Sequence, residues 1–173
     1  MKILKPTLLA LTCALLLAFT NQLTQGTIAA NQRHYEERLL REMVNGAELV
    51  QSDGGYNVFR NGTQIGIIRK ITSTRGYNGE IDLLIALTLP PFTLDSLTGD
   101  REVISVRVIR HEETPGIGDK IEPDVSDWIH QFAGKSAQNT NWTLSPGGDI
   151  DAISGATITS RAVISAIAEA LAE

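Results

Sequence analysis

Apolar residues change their spacing along this chain, and each spacing predicts a different element. No charge occurs from Pro6 to Gln32, and Leu8-Leu-Ala-Leu-Thr-Cys-Ala-Leu-Leu-Leu-Ala-Phe19 stands at the heart of that run. A spanning helix needs about 20 mostly apolar residues, and Pro6 to Leu23 just reaches that length. Asn31 to Gly46 then sets Tyr35, Leu39, Leu40 and Met43 on one stripe, with Glu36, Glu37, Arg38, Arg41 and Glu42 opposite: an amphipathic helix. Tyr56–Arg60 and Thr63–Ile68 flank Asn61-Gly62, a pair that takes the positive φ angles of a type I′ hairpin turn. Ile81 to Leu89 is a near-continuous apolar run, a buried strand ended by Pro90 and Pro91, and a surface loop follows through Asp100. Over Glu102–Arg110 the alternation puts Val103, Ser105, Arg107 and Ile109 on one face and Ile104, Val106 and Val108 on the other. A short helix is predicted over Asp124–Phe132, after Pro123 and before Gly134, with Val125, Trp128, Ile129 and Phe132 inward. In the last run, Ile158 to Leu171, the residues Val163, Ile167, Ala170 and Leu171 recur at helical spacing.

Strands first and helices later predict an α+β fold, a largely antiparallel sheet packed with helices, behind one N-terminal transmembrane helix. The chain thus divides into an anchor over 1–30, an amphipathic linker helix over 31–50 and a domain over 51–173. Ala29-Ala30 is a tolerable signal cleavage site, yet the apolar run is long enough to span, and we read it as an uncleaved anchor. Lys2 and Lys5 ahead of it predict a cytoplasmic N-terminus and a domain on the outer side.

Charge removes one class of function. The net charge is −5, and without Lys2 and Lys5 the rest carries 13 basic against 20 acidic side chains. A domain this acidic, with no basic run, is a poor ligand for nucleic acid. A single cysteine, Cys13, excludes an intrachain disulfide and a cysteine-ligated cluster or zinc site built by this chain alone. His34, His111 and His130 are scattered, and Asp149 with Asp151 alone make a weak cation site, so no metal is expected. No Gly-x-Ser-x-Gly or phosphate-binding Walker loop occurs, and no catalytic residue is assigned.

Two stretches carry candidate chemistry. In Asp151-Ala-Ile-Ser-Gly-Ala-Thr157, Gly155 and Ala156 allow close approach to the backbone, and Thr157 offers a hydroxyl where the helical pattern begins. A helix start has unpaired N–H groups and the positive end of the dipole, which suits a phosphate. Thr157 or Thr159 acting as an ordinary helix cap fits the same spacing. The second stretch is His111-Glu-Glu-Thr-Pro-Gly-Ile-Gly-Asp-Lys120, in which two glycines and a proline predict a tight turn with N–H groups free for a carbonyl or an anion. A plain connection between strand and helix fits it too.

The first stretch resembles the flavinylation motif of FMN-binding domains, filled here by Asp151, Ser154, Gly155, Ala156 and Thr157. The second, with Ser126-Asp-Trp-Ile129, Phe132-Ala-Gly-Lys135, Gly76-Tyr-Asn-Gly79 and Gly147-Gly-Asp149, resembles the G subunit of the Rnf ion-translocating electron transport complex. That resemblance implies FMN joined through its phosphate to Thr157 by a separate flavin transferase. It also implies that Tyr77, Glu113, Thr114, Pro115 and Gly116 lie near the flavin. The implied protein is a single-pass inner-membrane flavoprotein with its C-terminal domain in the periplasm, relaying electrons among the other subunits of the complex. An acidic surface around the flavin, Glu112 and Glu113 included, would disfavour its anionic reduced forms. The C subunit of the sodium-translocating NADH:quinone reductase, which shares the motif and the anchor, is the alternative flavoprotein; a non-redox binding domain is the alternative of another class.

Overall fold

A computed structural model describes residues 4–89, 100–145 and 147–172, with the side chains of Leu4 and Lys5 left out of the description. The expected loop over 90–99 and the residue Pro146 lie outside that set. Contacts divide the chain into two units, Met1–Arg38 and Leu39–Glu173.

The first unit is helical, and its helix, α1 (Leu4–Val44), continues without a break into the second. Among the described residues α1 is the one helix long and apolar enough to cross a membrane. Leu8, Leu9, Leu11, Leu15, Leu16, Leu17, Phe19 and Leu23 are all exposed along it, an apolar surface suited to lipid. Of the stripe expected further along, Leu39, Leu40 and Met43 are buried and Tyr35 is half-buried, and Val44 joins the buried set.

The second unit holds a five-stranded sheet in the order β1 (Glu48–Ser52), β2 (Gly55–Arg60), β3 (Thr63–Ser73), β4 (Ile81–Thr88) and β5 (Val103–Arg110), every neighbour antiparallel. The C-terminal helix α2 (Thr157–Ala172) packs on β3 and β4. The fold is α+β, as the pattern predicts. Asn61 and Gly62 both have positive φ, 52° and 77°, so the hairpin between β2 and β3 turns as expected.

The unbroken apolar run of β4 has a simple cause: both faces of this central strand are covered. Ile81, Leu83, Ile85 and Leu87 face a core shared with Val163, Ile167 and Ala170 of α2, with Ile121, Ile129 and Phe132, and with Ile150 and Ile153. Leu84 and Ala86 face the other way, as do Ile68 and Val58 by their register. Apart from these four, the buried apolar residues outside the α2 core are, among the described residues, Leu39, Leu40, Met43 and Val44. These last four lie at the end of α1. Full burial of a Leu or Ile is worth about 1.5–3 kcal/mol, so each layer contributes substantially to a marginally stable domain.

Three expectations need correction. Val103 is buried on the α2 side with Val106 and Val108, while Ile104 is 39% exposed. A register shift between Ala86 and Leu87 pairs Ala86 with Ser105 but Leu87 with Val103, and the extra residue reverses the alternation. The helix expected from Asp124 is instead a 3₁₀ segment over Asp127–Phe132, and it starts there because Ser126 caps it by accepting from Trp128 N–H at 3.2 Å. Val125 precedes that cap and is exposed, whereas Ile129 and Phe132 are buried as expected and Trp128 packs edge-on to Phe132. A second 3₁₀ turn, Asp119–Ile121, and the strand β1 were not expected at all.

Beside the core, Asp82 accepts from Thr72 Oγ1 at 2.6 Å and from Arg110 Nε at 2.9 Å. Partial burial, the largest single influence, pushes its carboxyl pKa up, but these two bonds and the charges of Arg110 and Lys70 together hold it below the usual value. A carboxyl with a lowered folded pKa stabilises the fold above its unfolded pKa of about 3.9, and that contribution is lost as pH falls through the folded value. Asp82→Asn should therefore cost stability at pH 7 and progressively less below pH ~4. Urea midpoints measured from pH 7 to 3 check this; a difference that stays constant would refute it.

Candidate cofactor site

The site forms where α2 begins. Ser160 N–H donates to Ala156 C=O at 2.9 Å, the first helical bond, so Ala156 is the capping residue and supplies no side-chain acceptor. No acceptor is found for the N–H groups of Thr157, Ile158 and Thr159 among the described residues. Unpaired donors and the helix dipole make this end a seat for an anion. Neither threonine caps the helix. The Thr157 hydroxyl is exposed and has no partner among the described residues, while Thr159 is buried and its Oγ1 donates to Glu113 Oε2 at 2.6 Å. Ahead of the helix, Gly155 turns the chain at φ +83°, in the left-handed region that glycine enters freely.

Glu113 gathers the site from three parts of the chain. It is 4% exposed, and besides Thr159 it accepts from Tyr77 N–H at 2.7 Å and Asn78 N–H at 3.2 Å, both through Oε1. Asn78 Nδ2 donates to Thr114 Oγ1 at 3.1 Å, a second tie between the same turns. The fit leaves no room for side chains nearby. A Cβ on Gly76 would lie 2.2 Å from Gly79 O and 2.8 Å from Glu113 Oε1, and one on Gly118 would lie 2.9 Å from Glu113 Cβ.

These contacts surround a cleft of about 450 Å³, within the size range of small-molecule sites. Of the residues expected there, Tyr77, Glu113, Thr114, Gly155, Ala156 and Thr157 line it. Ile117, Gly118, Ile158 and Thr159 line it too and were not expected. Tyr77, Ile117 and Ile158 are 65%, 46% and 51% exposed, an apolar rim around the Thr157 hydroxyl. Ile117, an isoleucine between two glycines, and Ile158, between two threonines at the helix start, were the signal that could have found the rim.

Pro115, Gly116, Asp151 and Ser154 are not in the lining. The expected free N–H groups of the 111–120 turn are in fact used: Gly116 N–H donates to Asp119 Oδ2 at 2.8 Å, and those of Ile117 and Gly118 donate to Thr114 C=O. That turn holds itself in shape rather than offering donors. Asp151 is anchored by its backbone, its C=O accepting from Trp128 Nε1 at 2.6 Å and its N–H donating to Gln131 Oε1 at 2.8 Å. His111 lies beside the site, its Nε2 2.5 Å from Glu122 Oε1 and its Nδ1 accepting from Glu113 N–H at 3.0 Å.

Residues 76–172 match the family model of the FMN-binding domain, and residues 7–43 match that of the RnfG N-terminal region. The G subunit of the ion-translocating oxidoreductase complex of Vibrio atlanticus (strain LGP32) is 34% identical over 91% of this chain and 72% of its own length. The same subunit from Escherichia coli (strain K12) is 35% identical over 90% of this chain and 81% of its own. That from Shewanella piezotolerans is 34% identical over 92% and 82%. The chain belongs to this RnfG family.

Both halves of the match bear on the alternatives. The N-terminal match is to an RnfG region, which favours the Rnf subunit over its quinone-reductase counterpart, and the FMN-binding domain favours a flavoprotein over a binding domain without flavin. The residues present fit FMN: an anion seat beside a hydroxyl with no partner among the described residues, and an apolar rim to a cleft of about 450 Å³. In this RnfG domain Glu113 is a structural clamp, buried and fully used, while Glu112 is exposed enough to meet solvent.

Proposed function

We propose that this chain is the membrane-anchored flavoprotein subunit of an ion-translocating oxidoreductase complex, carrying FMN as a phosphoester on Thr157 and relaying electrons between its neighbours in the complex. The anchor crosses the inner membrane once and the domain stands in the periplasm, which accords with Lys2 and Lys5 ahead of the apolar run. A flavin transferase attaches the cofactor. The single observation that carries the reading is the Thr157 hydroxyl, exposed and unpaired beside three N–H groups that lack acceptors among the described residues.

When bound, FMN supplies one-electron chemistry; the chain supplies position and surroundings. The helix start holds the phosphate. Tyr77, Ile117 and Ile158 offer apolar contact to the ring without enclosing it, so the site stays open to a neighbouring electron carrier. A covalent tether makes retention of the cofactor intramolecular, and the flavin stays even in a redox state that binds weakly.

Mass spectrometry of the Thr157 peptide tests this. Protein isolated from a host that holds the transferase should give that peptide heavier by one esterified FMN. The bare mass in such material would sink the reading.

A further inference from the structure

Ser160 sits one turn into α2 with its side chain fully buried, and its hydroxyl is used twice. It donates to Ala156 C=O at 2.9 Å and accepts from Ile153 N–H at 3.0 Å. Donation to the carbonyl four residues back is usual for a helical serine. The second bond is not a helical one: it reaches seven residues back, into the turn that leads to Thr157. Ala156 N–H closes the same turn on Ile153 C=O at 3.0 Å, and the side chains of Ile153 and Ala156 are both buried. The segment between them, with Gly155 at positive φ, is thus tied at both ends through one hydroxyl. Without that hydroxyl the Ile153 N–H would lose its acceptor, a cost of about 1–3 kcal/mol if it stays buried, and the turn would shift to recover one.

We infer that Ser160 is a positioning residue for flavin attachment: its hydroxyl fixes the 153–156 turn, so that Thr157 Oγ1 meets the transferring enzyme in one orientation. The inference rests on Thr157 being the attachment point. The donor is a flavin dinucleotide, since a phosphoanhydride is an activated phosphoryl donor and a simple FMN monoester is not. Thr157 Oγ1 forms a bond to the FMN phosphorus, the anhydride P–O bond breaks, and a nucleoside monophosphate leaves with that bond's electron pair. The hydroxyl proton passes to a base of the transferring enzyme, and nothing is oxidised or reduced. In such a displacement a misplacement of about 1 Å can cost on the order of 100-fold in rate. Ser160 touches none of the reacting atoms.

Ser73 provides the control. It is 7% exposed, and its Oγ donates to Ala162 C=O at 3.0 Å, so it pins the same helix from β3 without touching the turn. The full chain, made without transferase, is incubated with transferase and flavin dinucleotide, and the initial rate of covalent flavin fluorescence is measured at a temperature where every variant is folded. Ser160→Ala should be slower by about tenfold or more, while Ser73→Ala, at a comparable loss of Tm, stays within about twofold of wild type. Equal rates for the two variants overturn the inference. If Ser160→Ala does not fold, Ser160→Cys, close in volume but a weak hydrogen-bonding partner, carries the same comparison. An unmodified wild type, or undiminished modification of Thr157→Ala, would instead overturn the attachment reading itself.

Discussion

Thr157→Ala leaves the chain folded, and its denatured form without flavin. The side chain is exposed and hydrogen-bonded to none of the described residues, so its removal breaks no hydrogen bond among them. Alanine is also the better helix former, and stability should stay within about ±0.5 kcal/mol of wild type. The covalent flavin should vanish entirely, because no neighbouring hydroxyl can replace the lost one. Thr159 is buried and bonded to Glu113, and Ser160 is buried and spans the turn. Ser154 is exposed, but it lies ahead of the helix, away from the unpaired N–H groups of the first turn. Thr157→Ser keeps the hydroxyl and should keep the flavin. Visible absorbance of each variant after denaturation and dialysis, on protein made with the transferase present, measures the effect. Flavin retained by Thr157→Ala at the wild-type ratio would end the account of attachment.

Much of this was legible in the sequence, for identifiable physical reasons. Period reveals an element when one face is buried, as in α2; β4 was readable instead as an unbroken apolar run, and the β2–β3 hairpin through the turn chemistry of Asn61-Gly62. It failed at β5, where one extra residue in the ladder moved Val103 to the core side, an event decided by pairing with β4 and invisible within β5 alone. It failed at β1, a short edge strand with Val50 44% exposed, although Asp53-Gly54 ahead of β2 was a turn signal. The site was readable through Thr157 and Glu113 because a motif marked both. Its construction was not. Glu113 and Thr159 are 46 residues apart, and only the folded chain brings that carboxylate to the hydroxyl. Likewise, the double use of the Ser160 hydroxyl needs the turn geometry, not the order of residues.

Glu113→Ala should show the reverse of Thr157→Ala: a large loss of stability with the flavin still attached. The Glu113 carboxylate is buried, and among the described residues no basic side chain pairs with it. Its compensation comes from the Tyr77 and Asn78 N–H groups and the Thr159 hydroxyl. Alanine strips all three donors of their acceptor at once and opens a void against Gly76 and Gly118, which are packed on that side chain. Hydrogen bonds to a carboxylate are worth about 1.5–3 kcal/mol each. The two backbone donors can partly recover bonds to water, so a net loss of about 2–4 kcal/mol follows, or a Tm lower by on the order of 10 °C. Glu113→Gln should cost about 1 kcal/mol, since its carbonyl can serve both backbone N–H groups and its amide can donate to Thr159 Oγ1. Thr157 itself is untouched, so the folded fraction of Glu113→Ala, modified to completion, should carry flavin at the wild-type ratio. Thermal melts together with flavin per folded chain separate the two variants. A Glu113→Ala protein as stable as wild type would show that the carboxylate is not the clamp that joins the 76–79 turn to α2.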